Sequence, residues 1–265
     1  MIKNRFLFIC LDLILISISI SMFAQSSMSK IIAHRGAWIS DSIPQNSIAS
    51  LRRAIQLGCY GSEFDVRMTV DSVLVINHDP HFQGLDIESS TYNELITKKL
   101  TNGETIPTLE QIILVGKVQD KTKLIVEIKP SPAGKERSIM LAQKCVATIN
   151  RLQADQLVEY ISFDYDIGLK VIELDKNAKV SYLEGRNYVP LIKLKKDGFA
   201  GLDYHIGIYQ KHPEYLIQSK ELALLTNIWT VNNIDDMNWA LKMGIDYITT
   251  DKPAVLLNLL KSMKP

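Results

Sequence analysis

From residue 31 to residue 262 the chain alternates short apolar or β-branched runs with longer stretches of helical period, and no other feature limits the fold as far. Strands are expected near 31–34, 61–67, 73–78, 124–128, 158–163, 179–183, 199–204, 227–231 and 247–250. Helices are expected near 46–57, 91–99, 108–116, 135–152, 166–175, 210–221, 235–243 and 253–262. Strands separated by crossover helices build a mostly parallel sheet, and eight such units closing on themselves give a TIM (β/α)8 barrel. The MTVDS link between the second and third strands is too short for a helical crossover. Those two are therefore expected to form a hairpin turning at Asp71-Ser72, which makes one of the nine strands an extra and returns the barrel count to eight. A doubly wound open sheet is the alternative that the pattern leaves. The long connection from Pro80 to about Lys123 has helical pieces of its own, and a connection of that length usually carries a task.

The first two dozen residues, MIKNRFLFICLDLILISISISMFAQ, are unlike the rest. Lys3 and Arg5 make a positive start, an apolar stretch runs from Phe6 to Phe23 with Asp12 inside it, and small residues follow at Ala24 and Ser26. Residues 1–24 therefore read as an export signal, cleaved after Ala24 or Ser26, with an uncleaved anchor as the rival. The mature protein is then expected in the periplasm or secreted, with no stable membrane span. Loss of Lys3, Arg5 and Asp12 leaves basic and acidic residues equal in number, so nothing in the charge balance attracts nucleic acid. The mature chain keeps about 240 residues, close to the ~250 of a TIM barrel, and one domain over 30–265 is expected. Cys59 and Cys145 lie among apolar neighbours and read as buried free thiols.

The ionisable residues that stand out sit where strands end: His34-Arg35, Glu63 and Asp65, His78-Asp79, Glu127 and Lys129, then Trp229 to Asn232 and Thr249 to Asp251. All strand C-termini of a parallel barrel share one face, so these separate motifs become one constellation. Alternate residues of a strand point the same way, so Glu63 projects with Asp65 and Glu127 with Lys129, while Phe64 and Ile128 face the other side. Three carboxylates with no cysteine nearby suit a hard divalent cation, Ca²⁺ or Mg²⁺. Arg35 offers a planar fork and Lys129 a point charge for a phosphate. Two histidines supply the base and the acid that phosphodiester cleavage requires.

With these residues in place, AHRG, PQNS, EFDVRMT, INHD, IPTLEQ, VEIK, WTVN and ITTDKP stand in the order and approximate spacing of the glycerophosphodiester phosphodiesterase family, over nearly all of 31–254. The resemblance implies a TIM-barrel, metal-dependent hydrolase that splits small glycerophosphodiesters into sn-glycerol 3-phosphate and an alcohol. It implies His34 and His78 as the acid–base pair, Arg35 and Lys129 as phosphate contacts, and Glu63, Asp65 and Glu127 as metal ligands. It further implies that an insertion at about 80–107 caps one side of the pocket, and that a neighbouring substrate hydroxyl attacks first, with water then opening a cyclic phosphate. Two segments depart from the family. Pro44-Gln45-Asn46-Ser47 replaces Pro-Glu-Asn-Thr, and PHFQGLDIESS replaces the frequent Arg-Thr-Thr-Gly segment.

Rival readings accompany each residue. Glu127 and Lys129 could be a structural ion pair, Asp79 could orient His78 or cap the next segment, and Trp229 could pack a barrel end or form an apolar wall for substrate. His81, His205 and His212 lie outside the matched motifs and read as surface or loop residues, as do Lys193, Lys195 and Lys196. The alternatives at the level of function are a phospholipase-type relative acting on lipids and a catalytically silent barrel that binds phosphate esters. The oligomeric state is left open.

Overall fold

The computed structural model describes residues 30–39 and 43–263; the export segment expected at 1–24 lies outside them. Eight parallel strands close on themselves: β1 (Lys30–Ala33), β2 (Gly61–Met68), β6 (Lys123–Ile128), β7 (Val158–Ser162), β8 (Val180–Glu184), β9 (Gly201–His205), β10 (Leu225–Trp229) and β11 (Tyr247–Thr250). The ring runs β1-β11-β10-β9-β8-β7-β6-β2 and returns to β1 through Ile32–Gly61 and Ala33–Ser62 pairing. It is a TIM barrel, not an open sheet. The ninth strand, β3 (Leu74–Ile76), runs antiparallel to β2, with Val66 opposite Ile76 and Met68 opposite Leu74. The hairpin expected at Asp71-Ser72 is thus present, and Ser72 takes the positive φ of 65° that such a turn requires.

Helices α1 (Ile48–Leu57), α3 (Leu109–Gly116), α4 (Lys135–Arg151), α5 (Tyr165–Leu174), α8 (Glu214–Glu221), α9 (Ile234–Met243) and α10 (Pro253–Ser262) fall where the periodicity places them, with the four-residue α2 (Tyr92–Leu95) inside the long connection. Their starts follow the chain chemistry: Ser47, Thr91 and Thr108 each close a capping box, the last being the IPTLEQ entry. Two six-residue helices, α6 (Leu191–Lys196) and α7 (Ile206–Lys211), were not expected. Only Leu191 and Leu194 of α6 are buried, so the lysines dominate its sequence and hide the period. No helix among the described residues is long and apolar enough to cross a membrane.

Two hydrophobic layers result. Phe64, Val66, Val126 and Ile128 face outward into the main core beneath the helices, whereas Ile32, Ile125, Ile161, Leu183 and Tyr247 fill the barrel interior. Cys59 and Cys145 are buried free thiols, and burial raises the Cys59 thiol to about 12. Residues 80–107 form a satellite with its own apolar cluster of Phe82, Ile87, Leu95 and Ile106 on Val75 of β3. It contains the short strands β4 (His81–Phe82) and β5 (Leu85–Asp86). The satellite is tied to the barrel by polar contacts: Glu104 accepts from the Ile48 and Ala49 amides at the start of α1, and Glu88 accepts from the Ser131 hydroxyl. Leu124, fully buried between β6 and α3, tests the outer core. Leu124→Ala is expected to lower unfolding stability by about 2–5 kcal/mol, the usual cost of a core cavity, as read from urea denaturation.

Candidate active site

Parallel register places Asp65 beside Glu127 on neighbouring strands, with Glu63 one pleat earlier on the same face. All three carboxylates are buried, at 1%, 6% and 2% exposure respectively, and each offers an oxygen within 4.8 Å of the others. Like charges this close, out of water, demand a counter-charge. Lys129 supplies one: its Nζ lies 2.6 Å from Glu127 Oε1 and 3.0 Å from Asp65 Oδ1. Arg35 supplies another, with Nε 3.7 Å from Asp65 Oδ2. Burial raises the Glu127 carboxyl to about 7, and burial followed by Asp65 and Glu127 lifts Glu63 well above the carboxylate range. Burial pushes Asp65 the same way, but Lys129, His78, Asn46 and Arg35 outweigh it and hold the group low.

Loop geometry completes the triad. After β1 the chain turns through Arg35 and Gly36 at φ 56° and 81°, and a Cβ on Gly36 would stand 2.3 Å from Ser50 Oγ, so glycine is required there. That turn aims the Arg35 amide at Glu63 Oε2, 2.7 Å away. Asn46, expected only as part of a helix start, bonds Asp65 twice instead: Nδ2 donates to Oδ2 at 2.7 Å and Oδ1 accepts from the Asp65 amide at 3.2 Å. Ser47 takes the cap. Gln45 accepts from Arg35 Nη1 at 2.9 Å, so the departure from the family pattern touches Arg35 directly.

Both histidines are held by carboxylates. His34 Nδ1 lies 2.7 Å from Asp251 Oδ1, and Asn232 Nδ2 donates to Asp251 Oδ2 at 2.6 Å, which explains why the WTVN and ITTDKP segments accompany the AHRG turn. His78 Nδ1 lies 2.8 Å from Asp79 Oδ1, so Asp79 orients the imidazole. Arg67, unnoticed in the sequence, reaches across the hairpin and donates from Nε and Nη2 to the His78 carbonyl at 3.0 and 2.6 Å. Burial lowers the His78 imidazole below its usual range, with Lys129 and Arg35 adding to the effect and Asp65 and Asp79 opposing it.

His34, Arg35, Glu63, His78, Glu127 and Lys129 line one cavity of about 130 Å³ at the C-terminal end of the strands, with Trp229 and Phe163 on its apolar side. Asp65 lies just behind, in contact with Lys129. Trp229 packs on the interior cluster and lines the cavity, its Nε1 donating to the Asp203 carbonyl at 3.0 Å. The cavity walls come from the barrel strands and the loops that follow them; no residue of 80–107 is among those that line it, and the satellite meets the barrel at α1 and Ser131. Of the remaining histidines, His205 caps α7 and meets Trp229 edge-on, His81 lies near Asp86, and His212 pairs with Glu214.

The sequence model of the glycerophosphoryl diester phosphodiesterase family matches residues 34–255. The chain belongs to that family. It is 29% identical to a glycerophosphodiester phosphodiesterase of Caldanaerobacter subterraneus, over 87% of this chain and 97% of that protein. A solved glycerophosphodiester phosphodiesterase from Parabacteroides distasonis is 41% identical, with a TM-score of 0.85 over 88% of this chain and 97% of its own. The fold is also that of an Oleispira antarctica phosphodiesterase solved with its product sn-glycerol-3-phosphate, at 24% identity and a TM-score of 0.77, covering 89% of this chain and 98% of that one. As a glycerophosphodiester phosphodiesterase, the chain is a phosphoric diester hydrolase, and the silent-barrel alternative falls.

The acidic triad suits a divalent cation. Its donors are hard carboxylate oxygens, and Glu63 Oε1 is buried without a hydrogen-bond partner. Lys129 is the cation already present among them. In Lys129→Met two carboxylates lose it while staying buried, so the metal-free phosphodiesterase should lose about 3 kcal/mol of stability. Urea denaturation with chelator, and again with Ca²⁺ or Mg²⁺, checks this: part of the loss should return with the cation.

Proposed function

We propose that the enzyme hydrolyses small, soluble glycerophosphodiesters to sn-glycerol 3-phosphate and an alcohol, with Ca²⁺ or Mg²⁺ held by Glu63, Asp65 and Glu127 and with His34 and His78 as the acid–base pair. One observation carries this reading: two carboxylate-oriented imidazoles, a buried acidic triad and two cations converge on a single cavity. The sn-glycerol-3-phosphate bound by the Oleispira antarctica phosphodiesterase supports the product assignment. A cavity of about 130 Å³ has room for a phosphate and a three-carbon polyol, which favours these substrates over intact lipids.

The chain's own groups divide the work. Arg35 and Lys129 receive the phosphate. A hydroxyl of the glycerol attacks phosphorus and passes its proton to one imidazole, while the P–O bond to the alcohol breaks and the other imidazole protonates the departing oxygen. Water then opens the cyclic phosphate, with the two histidines exchanging roles. Asp251 and Asp79 each hold a Nδ1, leaving Nε2 of both rings for proton exchange. A bound cation supplies neutralisation of charge on the phosphoryl oxygens.

Purified enzyme should release sn-glycerol 3-phosphate from glycerophosphocholine or glycerophosphoethanolamine with Ca²⁺ or Mg²⁺ and lose that activity in chelator. No release from several head groups with any metal overturns the reading. His34→Ala and His78→Ala should each lower the rate by about 10²-fold or more, and near-normal turnover removes that residue from the mechanism. Glu63→Gln should shift the metal titration to higher concentration; an unchanged titration counts against ligation. We further propose that residues 1–24 direct export to the periplasm or medium. N-terminal sequencing of the exported chain should then begin after Ala24 or Ser26.

A further inference from the structure

One polar group of the cavity has no part in the chemistry above. Asp203, on β9, is 1% exposed, lines the cavity, and its Oδ1 is buried without a hydrogen-bond partner. Its neighbours do not provide one. Asn227, opposite it in register on β10, bonds the carboxyl on its other side and is otherwise occupied, Nδ2 donating to Thr249 Oγ1 at 3.0 Å and Oδ1 accepting from the Ile228 amide at 2.8 Å, so Asp203 Oδ1 stays open. On the other flank, Leu183 of β8 stands opposite Asp203 and is aliphatic. The Trp229 indole donates to the Asp203 carbonyl, so side chain and ring are set in one frame. A polar atom buried without a partner costs about 1–3 kcal/mol, and such a group at a cavity wall is matched to a ligand that brings the partner.

Its position says which part of the ligand that is. Around the ring β9 is the strand farthest from β2, four steps in either direction. Arg35, Lys129 and the acidic triad gather at β2 and its neighbours β1 and β6. A phosphate held there extends the remainder of the molecule toward Asp203. A carboxyl group on that far wall is unsuited to an anion and well suited to a hydroxyl, while Ile161, Leu183 and Trp229 beside it accept the carbon skeleton.

We propose that Asp203 is a specificity-determining residue that hydrogen-bonds a hydroxyl of the polyol half of the substrate. This rests on the functional reading above. It makes the far wall a filter: a deoxy analogue leaves Asp203 Oδ1 unpaired and is rejected, as sites built to bind a hydroxyl reject ligands that lack it.

Calorimetric titration of the metal-loaded wild type, Asp203→Leu and Asp203→Asn with sn-glycerol 3-phosphate and with n-propyl phosphate tests this, alongside glycerophosphocholine hydrolysis. Wild type should prefer sn-glycerol 3-phosphate by about tenfold or more. Asp203→Leu should weaken that ligand by about 10–100-fold and change n-propyl phosphate by less than about threefold, so the preference disappears. Asp203→Asn, which keeps hydrogen-bonding capacity, should fall between, and it decides the matter if the leucine variant does not fold. Equal weakening of both ligands assigns Asp203 a structural role and overturns the proposal, as does a preference unchanged in the variants while wild type hydrolyses glycerophosphocholine. A wild type that hydrolyses no glycerophosphodiester brings down the functional reading and this inference together.

Discussion

Three carboxylates buried within 4.8 Å of one another are the constraint to which the rest of the molecule answers. Such a group is stable only with compensating charge and hydrogen bonds, because desolvated like charges repel strongly in a low-dielectric interior. Lys129, two residues from Glu127 on the same pleat face, compensates directly, and the Arg35 amide, the Arg35 guanidinium and the Asn46 side chain share the remaining oxygens. The turn that presents Arg35 in turn needs the Gly36 conformation and the Ser50 hydroxyl that accompanies it. The AHRG and PQNS segments are therefore consequences of the triad as much as separate site features. Glu63 Oε1 is left buried without a hydrogen-bond partner, an open acceptor that suits a cation.

The barrel makes this charge density tolerable by separating tasks along each strand. In β2 and β6 the outward residues Phe64, Val66, Val126 and Ile128 anchor the strands under the helices, so the inward residues are free to be polar at the C-terminal end. Deeper inside, Ile32, Ile125 and Tyr247 fill the barrel, joined by Ile161 and Leu183, which also line the cavity. Rigid strands hold the carboxylate oxygens, while longer loops bring the partners that orient the histidines. Asp251 and Asn232 arrive from the two final units of the barrel, so the position of His34 depends on closure of β11 against β1.

Much of this was legible in the chain. The period-two spacing of Glu63 with Asp65 and of Glu127 with Lys129 follows from strand geometry alone, and the short MTVDS link dictates a hairpin. What escaped is of one physical kind, the pairing of residues that meet only in the folded chain, even where the residues themselves stood in the motifs. Asp251 is 217 residues from His34, Glu104 is 56 from Ile48, and Arg67 meets the His78 carbonyl only once the hairpin forms. Asp203 was hidden differently, as one polar residue inside the strand expected near 199–204. Its signal would have been an acidic residue at an inward position of a strand buried on both faces, the same anomaly that made Glu63 and Asp65 conspicuous.

The replacement at Gln45 shows how a single departure acts through this network. Arg35 lines the cavity and touches the triad, and its partners decide how much of its charge is already compensated. Asp65 lies 3.7 Å from Nε, beyond hydrogen-bonding distance, while Nη1 bonds the neutral amide oxygen of Gln45 at 2.9 Å. A glutamate at that position would place a second anion on the same guanidinium and would neutralise it in the ground state. With glutamine the fork is oriented by a hydrogen bond of similar geometry but keeps its net charge for the ligand. The cost falls on the acidic side, where the site loses a negative group near its rim and with it some attraction for a cation. On the function proposed above, Gln45 leaves more of the Arg35 charge for an anionic substrate, while the carboxylates of the triad keep the positions that strand register sets.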